Sequence, residues 1–416
     1  MTKSAQRFHV TAFWALLLMA SGVQWAMAQD ALHMYGYFST RFEKTYATTG
    51  PNGVIDEAGS SDFAYPFFSL MGQYRINDKF RAFFSFSGSK GTALEIRNFW
   101  GEYSHSKYLN VRLGKIYRKF GLYNEILDAV PTYYGIEPPE LFDTDHLMIS
   151  RTTMAMVYGS VGVGNGTLQY TVSTDNGEGD PQFAPPKGTF PFCYDFQYSF
   201  GEGNYTIGTS GYTSGGETQP NVAISGGSPK SGVLNWMAKD EFTVNGGYVE
   251  AKVGSLTLQA EYWTSSHDAT RDTAKVKTVV TSAGISSFQR ARFLKNPSVS
   301  GTGGGANVKT NVSFKVQTWY LRAGYSFETG IGEVAPYVQW DWYSNPETIG
   351  NKTYGGDDEA GAADDGVFNK STVGIILRPT PEVAVKFDQS YHFYKMDGDN
   401  VKYPEIRLDV SFTFGL

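Results

Sequence analysis

The sequence predicts an all-β fold: a transmembrane antiparallel β-barrel of about sixteen strands, with short periplasmic turns and long extracellular loops. Three observations predict it. Apolar residues recur at every second position in many segments, the period of a strand with one apolar and one polar face. Short and long connections alternate along the chain. Aromatic residues make up 15% of the sequence and glycine 47 of its 416 residues, yet beyond residue 28 no stretch reaches the roughly 18 uninterrupted apolar residues of a membrane helix.

The chain opens with a short basic region, Lys3 and Arg7, then an apolar core, AFWALLLMASGV, and a small-x-small site ending at Ala28. Residues 1–28 therefore read as a secretory signal peptide, set aside from fold reasoning, with 29–416 as the barrel. The formal net charge of −6 becomes more negative once Lys3 and Arg7 are removed, so the protein is not built for nucleic acid. The single cysteine, Cys193, excludes an intramolecular disulfide and reads as a small apolar residue at a strand start.

Taken in order, strands are expected near 32–44, 64–76, 79–89, 93–104, 108–118, 148–159, 166–174, 193–201, 204–213, 242–253, 256–265, 314–328, 334–343, 367–378, 382–394 and 404–416. The third sets Phe80, Ala82, Phe84 and Phe86 against Arg81, Ser85 and Ser87. In the fourth, Leu94, Ile96 and Trp100 define the outer face, turning Glu95 and Arg97 inward. In the fifth, Leu109, Val111 and Leu113 are outer, turning Asn110, Arg112 and Arg118 inward and leaving Lys115 on the lipid side. The eleventh puts Gln259 and Glu261 on its polar face, the thirteenth Asp341, and the fifteenth Lys386, Asp388 and His392. The sixteenth alternates Ile406, Leu408, Val410, Phe412, Phe414 and Leu416 with Arg407, Asp409, Ser411, Thr413 and Gly415. Pro66 weakens the second strand and poor alternation the sixth.

Even-numbered strands end in short links such as Asn77-Asp78 and Gly254-Ser255. Odd-numbered strands are mostly followed by long segments: 45–63, 119–147, 175–192, 214–241, 266–313, 344–366 and 395–403. An outer-membrane barrel has this asymmetry, and its closed sheet pairs every backbone group within lipid. Tyr35, Tyr37, Trp100, Tyr108, Trp340, Trp342, Tyr391 and Phe414 are candidates for the interfacial aromatic girdles. The flawless alternation of the last strand fits a stave that must close against the first.

The segment 119–147 carries Glu125, Asp128, Glu137, Glu140, Asp143 and Asp145, with no Lys or Arg between Lys119 and Arg151. Unopposed carboxylates in a confined space would hold a strongly negative potential. On the neighbouring strands Arg81, Arg97, Arg112 and Arg118 have inward parity.

Two stretches carry a family resemblance. VRLGKIYRKFGLYNE, 111–125, is similar to a fifth-strand motif followed by Phe-Gly and a constriction loop. The C-terminal Val410, Phe412, Phe414 and Leu416 resemble the signal read by the barrel-assembly machinery, with Leu416 in place of the usual aromatic. The chain thus resembles bacterial outer-membrane porins, in particular the phosphate-selective superfamily and its sixteen-stranded relatives. The loop lacks the lysines of a phosphate-selective member, so that specificity does not transfer.

The resemblance implies a Gram-negative outer-membrane location, a homotrimer among lipid and lipopolysaccharide, and passive diffusion of ions and small hydrophilic solutes. It also implies that 119–147 folds into the lumen as the constriction. Its six carboxylates would then face the four arginines across the eyelet, with a mild cation bias. The rest of the polar lumen would be lined by Glu95, Gln259, Glu261, Asp341, Lys386, Asp388, His392, Arg407 and Asp409. A channel for sugars, organic acids or oxyanions is the alternative, favoured by inward aromatics such as Phe83, Tyr337 and Tyr343. An outer-membrane enzyme or receptor barrel is a more distant one.

No cofactor or metal site is expected. Asp388, Ser390 and His392 share one face, but neighbours two apart in a strand stand roughly 6–7 Å apart, too far for direct proton transfer. The acidic stretch 355–366 lacks the ordered ligand spacing of a calcium loop and reads as a mobile loop, as does the Gly-rich 298–311.

Overall fold

The computed structural model describes residues 31–46, 61–63, 66–89, 93–126, 130–139, 147–148, 151–178, 187–188, 190–217, 232–281, 285–295, 307–349 and 358–415. Sixteen staves form one closed antiparallel barrel: β1 Leu32–Thr45, β2 Phe67–Arg75, β3 Phe80–Ser89, β4 Ala93–Ser106, β5 Leu109–Tyr117, β6 Arg151–Val163, β7 Gly166–Asp175, β8 Phe192–Phe200, β9 Tyr205–Thr213, β10 Met237–Val253, β11 Leu256–Arg271, β12 Asn311–Tyr325, β13 Gly332–Ser344, β14 Val367–Thr380, β15 Val383–Met396 and β16 Asp399–Gly415. Each pairs with the next. β16 returns to β1 in a register running from Tyr35↔Gly415 to Thr45↔Glu405, so the sheet has no free edge. Ser61–Phe63 adds a short pairing to β1, and Phe327–Thr329 one to β13.

Burial is inverted relative to a water-soluble protein, as a barrel in lipid requires. On β13, Val338 and Trp340 are 51% and 46% exposed while the alternating Asp341 is 1%. On β16, Leu408 is 39% exposed and Asp409 fully buried. The exposed face is the lipid face. Along the closing seam Phe412 stacks on Phe38 with ring centroids 4.7 Å apart. Val410 and Phe414 share that outward parity; Leu416 lies outside the described residues.

Three expectations are corrected. Trp100 points into the lumen. A bulge between Ser85 and Phe86 skips Arg97, pairing Asn98 with Ser85 but Ile96 with Phe86, and the extra residue flips the parity of all that follows on β4. Tyr35 and Tyr37 also face inward: they pair with Met71 and Ser69, and Tyr37 is 2% exposed. The segment 395–403 is no long loop. Asp397 and Gly398, with φ of 53° and 85°, form a two-residue turn of the kind Asp-Gly favours.

Strands on the long-loop side also run beyond their expected ends, β10 starting at Met237 and β11 reaching Arg271. The bulge explains Lys115 as well. It faces outward beside Phe99, and its Nζ donates to the Ile96 carbonyl at 3.0 Å.

The half of the lumen bounded by β8–β14 is packed with an apolar core. Inward residues such as Phe242, Trp263, Phe314 and Tyr343 meet loop residues including Phe120, Trp236 and Ile349. Cys193, one residue into β8, is buried in it. Helix α1 (Thr273–Thr281) contributes Val276, Val279 and Val280. Helix α2 (Ser287–Phe293) begins with a capping box of Ser286 and Gln289 and contributes Phe293.

The part of the acidic stretch 355–366 that is described is also packed, starting from helix α3 (Asp358–Ala362). Asp364 accepts from Ser286 Oγ and from the backbone N–H groups of Asp397 and Gly398. It staples loops together.

Candidate functional site

The segment after β5 enters the barrel, and the inward face of the wall grips its backbone. Gly121 N–H donates to Ser210 Oγ on β9, and Leu122 N–H to Glu261 on β11. Tyr123 OH donates to Gln259 at 3.0 Å. Further round, Lys386 Nζ donates to the carbonyls of Tyr133 and Gly135 at 2.8 and 2.9 Å, while Asp388 accepts from Ile136 N–H at 3.2 Å. Arg41 donates to the Ile136 carbonyl. Gly135 sits at φ 87°, where a Cβ would lie 2.8 Å from the Glu137 carbonyl. Only glycine makes that turn without strain.

The segment ends its described course at an ion cluster. Glu137 receives Arg407 of β16 at 2.6 Å, Arg41 of β1 at 3.1 Å and Lys370 of β14 at 3.4 Å. Burial pushes the Glu137 carboxyl upward. The charges of Arg407, Lys370 and Arg41 outweigh that and hold it well below the ordinary carboxylate range.

Gln259, Glu261, Lys386, Asp388 and Arg407, expected as polar lining, thus hold the loop. Asp341 accepts from Gln339, His392 pairs with Glu405 at 3.1 Å, and Asp409 is fully buried on the same inward face.

The four expected wall arginines divide. Arg81 and Arg112 both bind Glu102 of β4, at 2.5 and 2.8 Å, and Tyr158 OH donates to the same carboxylate at 2.6 Å. Arg112 also lies 4.0 Å from the Trp100 ring. Arg97, the bulge residue, pairs with Glu95 at 3.3 Å, and Glu95 has inward parity opposite Ser87. Arg118 is no wall residue. It lies past the end of β5, fully buried, with bidentate bonds to Asp175 and a third to Glu178. Glu125 pairs with Lys119 at 3.0 Å. Asp128, Glu140, Asp143 and Asp145 lie outside the described residues.

The described loop is bound at Arg41 of β1 but leaves open space along part of the β1–β5 wall. Between the two lies a cavity of about 230 Å³ whose lining includes Tyr35, Phe83, Asn98, Trp100, Arg112 and Glu125. Beyond it, toward the short turns, opens a second space of about 580 Å³ lined by Arg81, Lys107, Asn110 and Tyr158. The Arg81–Glu102–Arg112 knot stands between them.

Sequence reasoning missed Glu102 and Trp100 because a one-residue bulge reverses their parity. It missed Arg41 because nothing in β1 alone marks a partner 96 positions away.

Two places carry the residue types of a hydrolytic site. Asp388, Ser390 and His392 turn to separate partners: Ile136 and Tyr337, Thr372, and Glu405. A Ser265–His267–Asp240 chain does have triad-like spacings of 2.7 and 2.7 Å. Ser265, however, is fully buried, and the imidazole is sandwiched between Phe242 and Phe314, so the chain is sealed within the apolar core. Among the described residues no group of His, Cys, Asp and Glu could hold a metal ion.

No family model and no curated protein matches the sequence. Solved structures do match. The anion-selective porin from Comamonas acidovorans is similar with a TM-score of 0.54 at 10% identity, over 92% of this chain and 99% of that one. OmpT of Vibrio cholerae in its trimer form gives 0.51 at 10%, over 92% and 99%. Salmonella typhi OmpF in complex with daunomycin gives 0.51 at 13%, over 92% and 97%. At such identities the likeness carries the fold: the chain is a sixteen-stranded antiparallel barrel resembling bacterial outer-membrane porins.

Proposed function

We propose that the protein is an outer-membrane diffusion channel for ions and small hydrophilic solutes. Residues 1–28 would direct its export, and the outward Val410, Phe412, Phe414 and Leu416 its insertion by the barrel-assembly machinery. In this reading it sits among lipid and lipopolysaccharide in a Gram-negative outer membrane as a homotrimer. The single observation that carries the proposal is the eccentric space between the inward loop and the β1–β5 wall, lined by charged and polar side chains of a closed barrel.

Ion preference follows from the balance of charges along the passage. A mild cation bias rests on the loop's sequence, which adds Asp128, Glu140, Asp143 and Asp145 with no Lys or Arg between Lys119 and Arg151, while Glu137 and Glu125 are paired with cations. A second reading, weak anion preference, is favoured by the two guanidinium groups sharing one carboxylate at Glu102.

Planar-bilayer recording of the refolded protein in a salt gradient tests both. Stepwise channels support diffusion, and the sign of the reversal potential decides between the two ion preferences. Absence of channels overturns the proposal in favour of a receptor or enzyme barrel.

A further inference from the structure

We infer that the cavity along the β1–β5 wall carries a subsite for a neutral, ring-shaped polyhydroxylated solute of hexose size, an inference that rests on the diffusion-channel reading. Tyr35 is 39% exposed although its strand position faces the lumen, so its ring is presented to the cavity. Phe83 lies on the same wall, braced from one side by Trp100, whose ring stacks on it with centroids 5.1 Å apart and planes 17° apart. Trp100 is in turn backed by Arg112. The wall therefore offers aromatic surface held rigid from behind, the form in which an aromatic contact costs least entropy on binding.

The polar groups select among ligands. Asn98 lines the cavity and is 8% exposed, and its Oδ1 has no partner among the described residues. Its own N–H and Nδ2 are both used on Ser85 Oγ. A buried carbonyl oxygen without a donor is costly, and a small turn of the Asn98 amide toward the cavity would let a donating ligand relieve it. Carboxylates and phosphates bring acceptors and negative charge toward that acceptor and toward Glu125. The surplus guanidinium charge attracts an anion, but Arg112, the arginine on this lining, already directs Nε and Nη2 to Glu102 and Tyr158 and offers no paired donors to hold one. A cationic donor meets the surplus charge of Arg81 and Arg112.

A sugar hydroxyl donates without charge, and the C–H face of the ring lies against aromatic surface. The cavity of about 230 Å³ equals the liquid share of roughly eight waters at about 30 Å³ each, room for one such ring.

The test uses the refolded chain in planar bilayers, with D-glucose and maltose as probes and with a polyethylene glycol of similar size and benzoate as comparators. Saturable block of the ionic current by the sugars is expected. Tyr35→Ala and Phe83→Ala should each raise the half-blocking concentration by up to about tenfold, the worth of one aromatic contact. Tyr35→Phe should keep the block. Salt conductance of each variant reports whether its barrel is intact.

Sugars that block no better than the glycol, or benzoate that blocks at lower concentration, overturn the subsite. Calorimetric titration of D-glucose into the detergent-solubilised protein separates the two readings. Channels without saturable sugar binding sink the subsite alone, and binding without channels sinks the diffusion reading alone.

Discussion

Arg407, on the strand that closes the barrel, lies 2.6 Å from Glu137, at the end of the loop's described inward course. The same seam that joins the last strand to the first therefore also anchors the loop, with Arg41 on one stave of it and Arg407 on the other. Barrel closure and loop anchoring share residues: two of the three cations on the loop carboxylate come from the strands that meet at the seam.

Replacing Glu137 by Gln keeps the shape and removes the charge, leaving Glu43 and Glu405 as the remaining carboxylates on Arg41 and Arg407. Loop docking should weaken by on the order of 2 kcal/mol, the worth of a charge-assisted hydrogen bond set. Open-channel current noise should rise while circular dichroism still reports an intact sheet. Equal noise in the variant and the parent protein would show that Glu137 does not position the loop.

The sign of the pH dependence follows from the same group. A free glutamate titrates near 4.5, and Glu137 is held below that. A lowered folded value means that the anchor's stabilisation is fully present above the unfolded value and is lost only as pH falls through the folded one. Channels should therefore stay quiet through the ordinary carboxylate range and become noisy only in stronger acid. Glu137→Gln should be noisy throughout. Onset of noise in the parent protein near pH 4.5 would contradict this.

Arg118 offers a sharper stability test. It is buried between Asp175 and Glu178, so Arg118→Ala leaves two carboxylates uncompensated and should cost about 3–5 kcal/mol. Arg81→Ala, at a side chain 36% exposed, should cost far less. Unfolding followed by gel mobility or tryptophan fluorescence would rank the pair.

Gly114 is a local test of the bulged region. It lies at φ 138°, where a Cβ would come within 2.2 Å of the Phe99 carbonyl. Gly114→Ala should destabilise the barrel by about 1–3 kcal/mol. Gly101→Ala, with nothing within 4 Å of its Cβ, should be nearly neutral. Equal unfolding midpoints for the two variants would refute the strain.

What the sequence reveals and hides divides along physical lines. Period-two alternation survives in single segments, so the staves, their order and the closing strand are legible. Parity counting also turns Gln259, Lys386, Asp388 and Asp409 inward, because their strands carry no bulge between them and the apolar residues that set the count. A one-residue bulge defeats that counting, which is why Trp100 reads as an outer residue and Glu102 goes unnoticed. The apolar core within β8–β14 is hidden for another reason: inward Phe242 and Val244 carry no mark that loops will cover them. The Asp397-Gly398 turn was legible in its dipeptide and masked by the polar residues around it.

Ion selectivity joins the two sides of the passage. Arg112→Ala removes one of the two cations on Glu102 and leaves a wall closer to neutral. Glu137→Ala removes one of the carboxylates, beside Glu43 and Glu405, that compensate Arg41, Arg407 and Lys370, making the opposite side more positive. The reversal potential in a salt gradient should therefore move toward cation preference in the first variant and toward anion preference in the second. Arg112 lines the cavity directly, whereas Glu137 is not among its lining residues, so the first shift should be the larger. Raising the salt should shrink both, since screening shortens the reach of either charge to about 3 Å at molar ionic strength. Two shifts of the same sign, or none, would place the ion path elsewhere than between this loop and the β1–β5 wall.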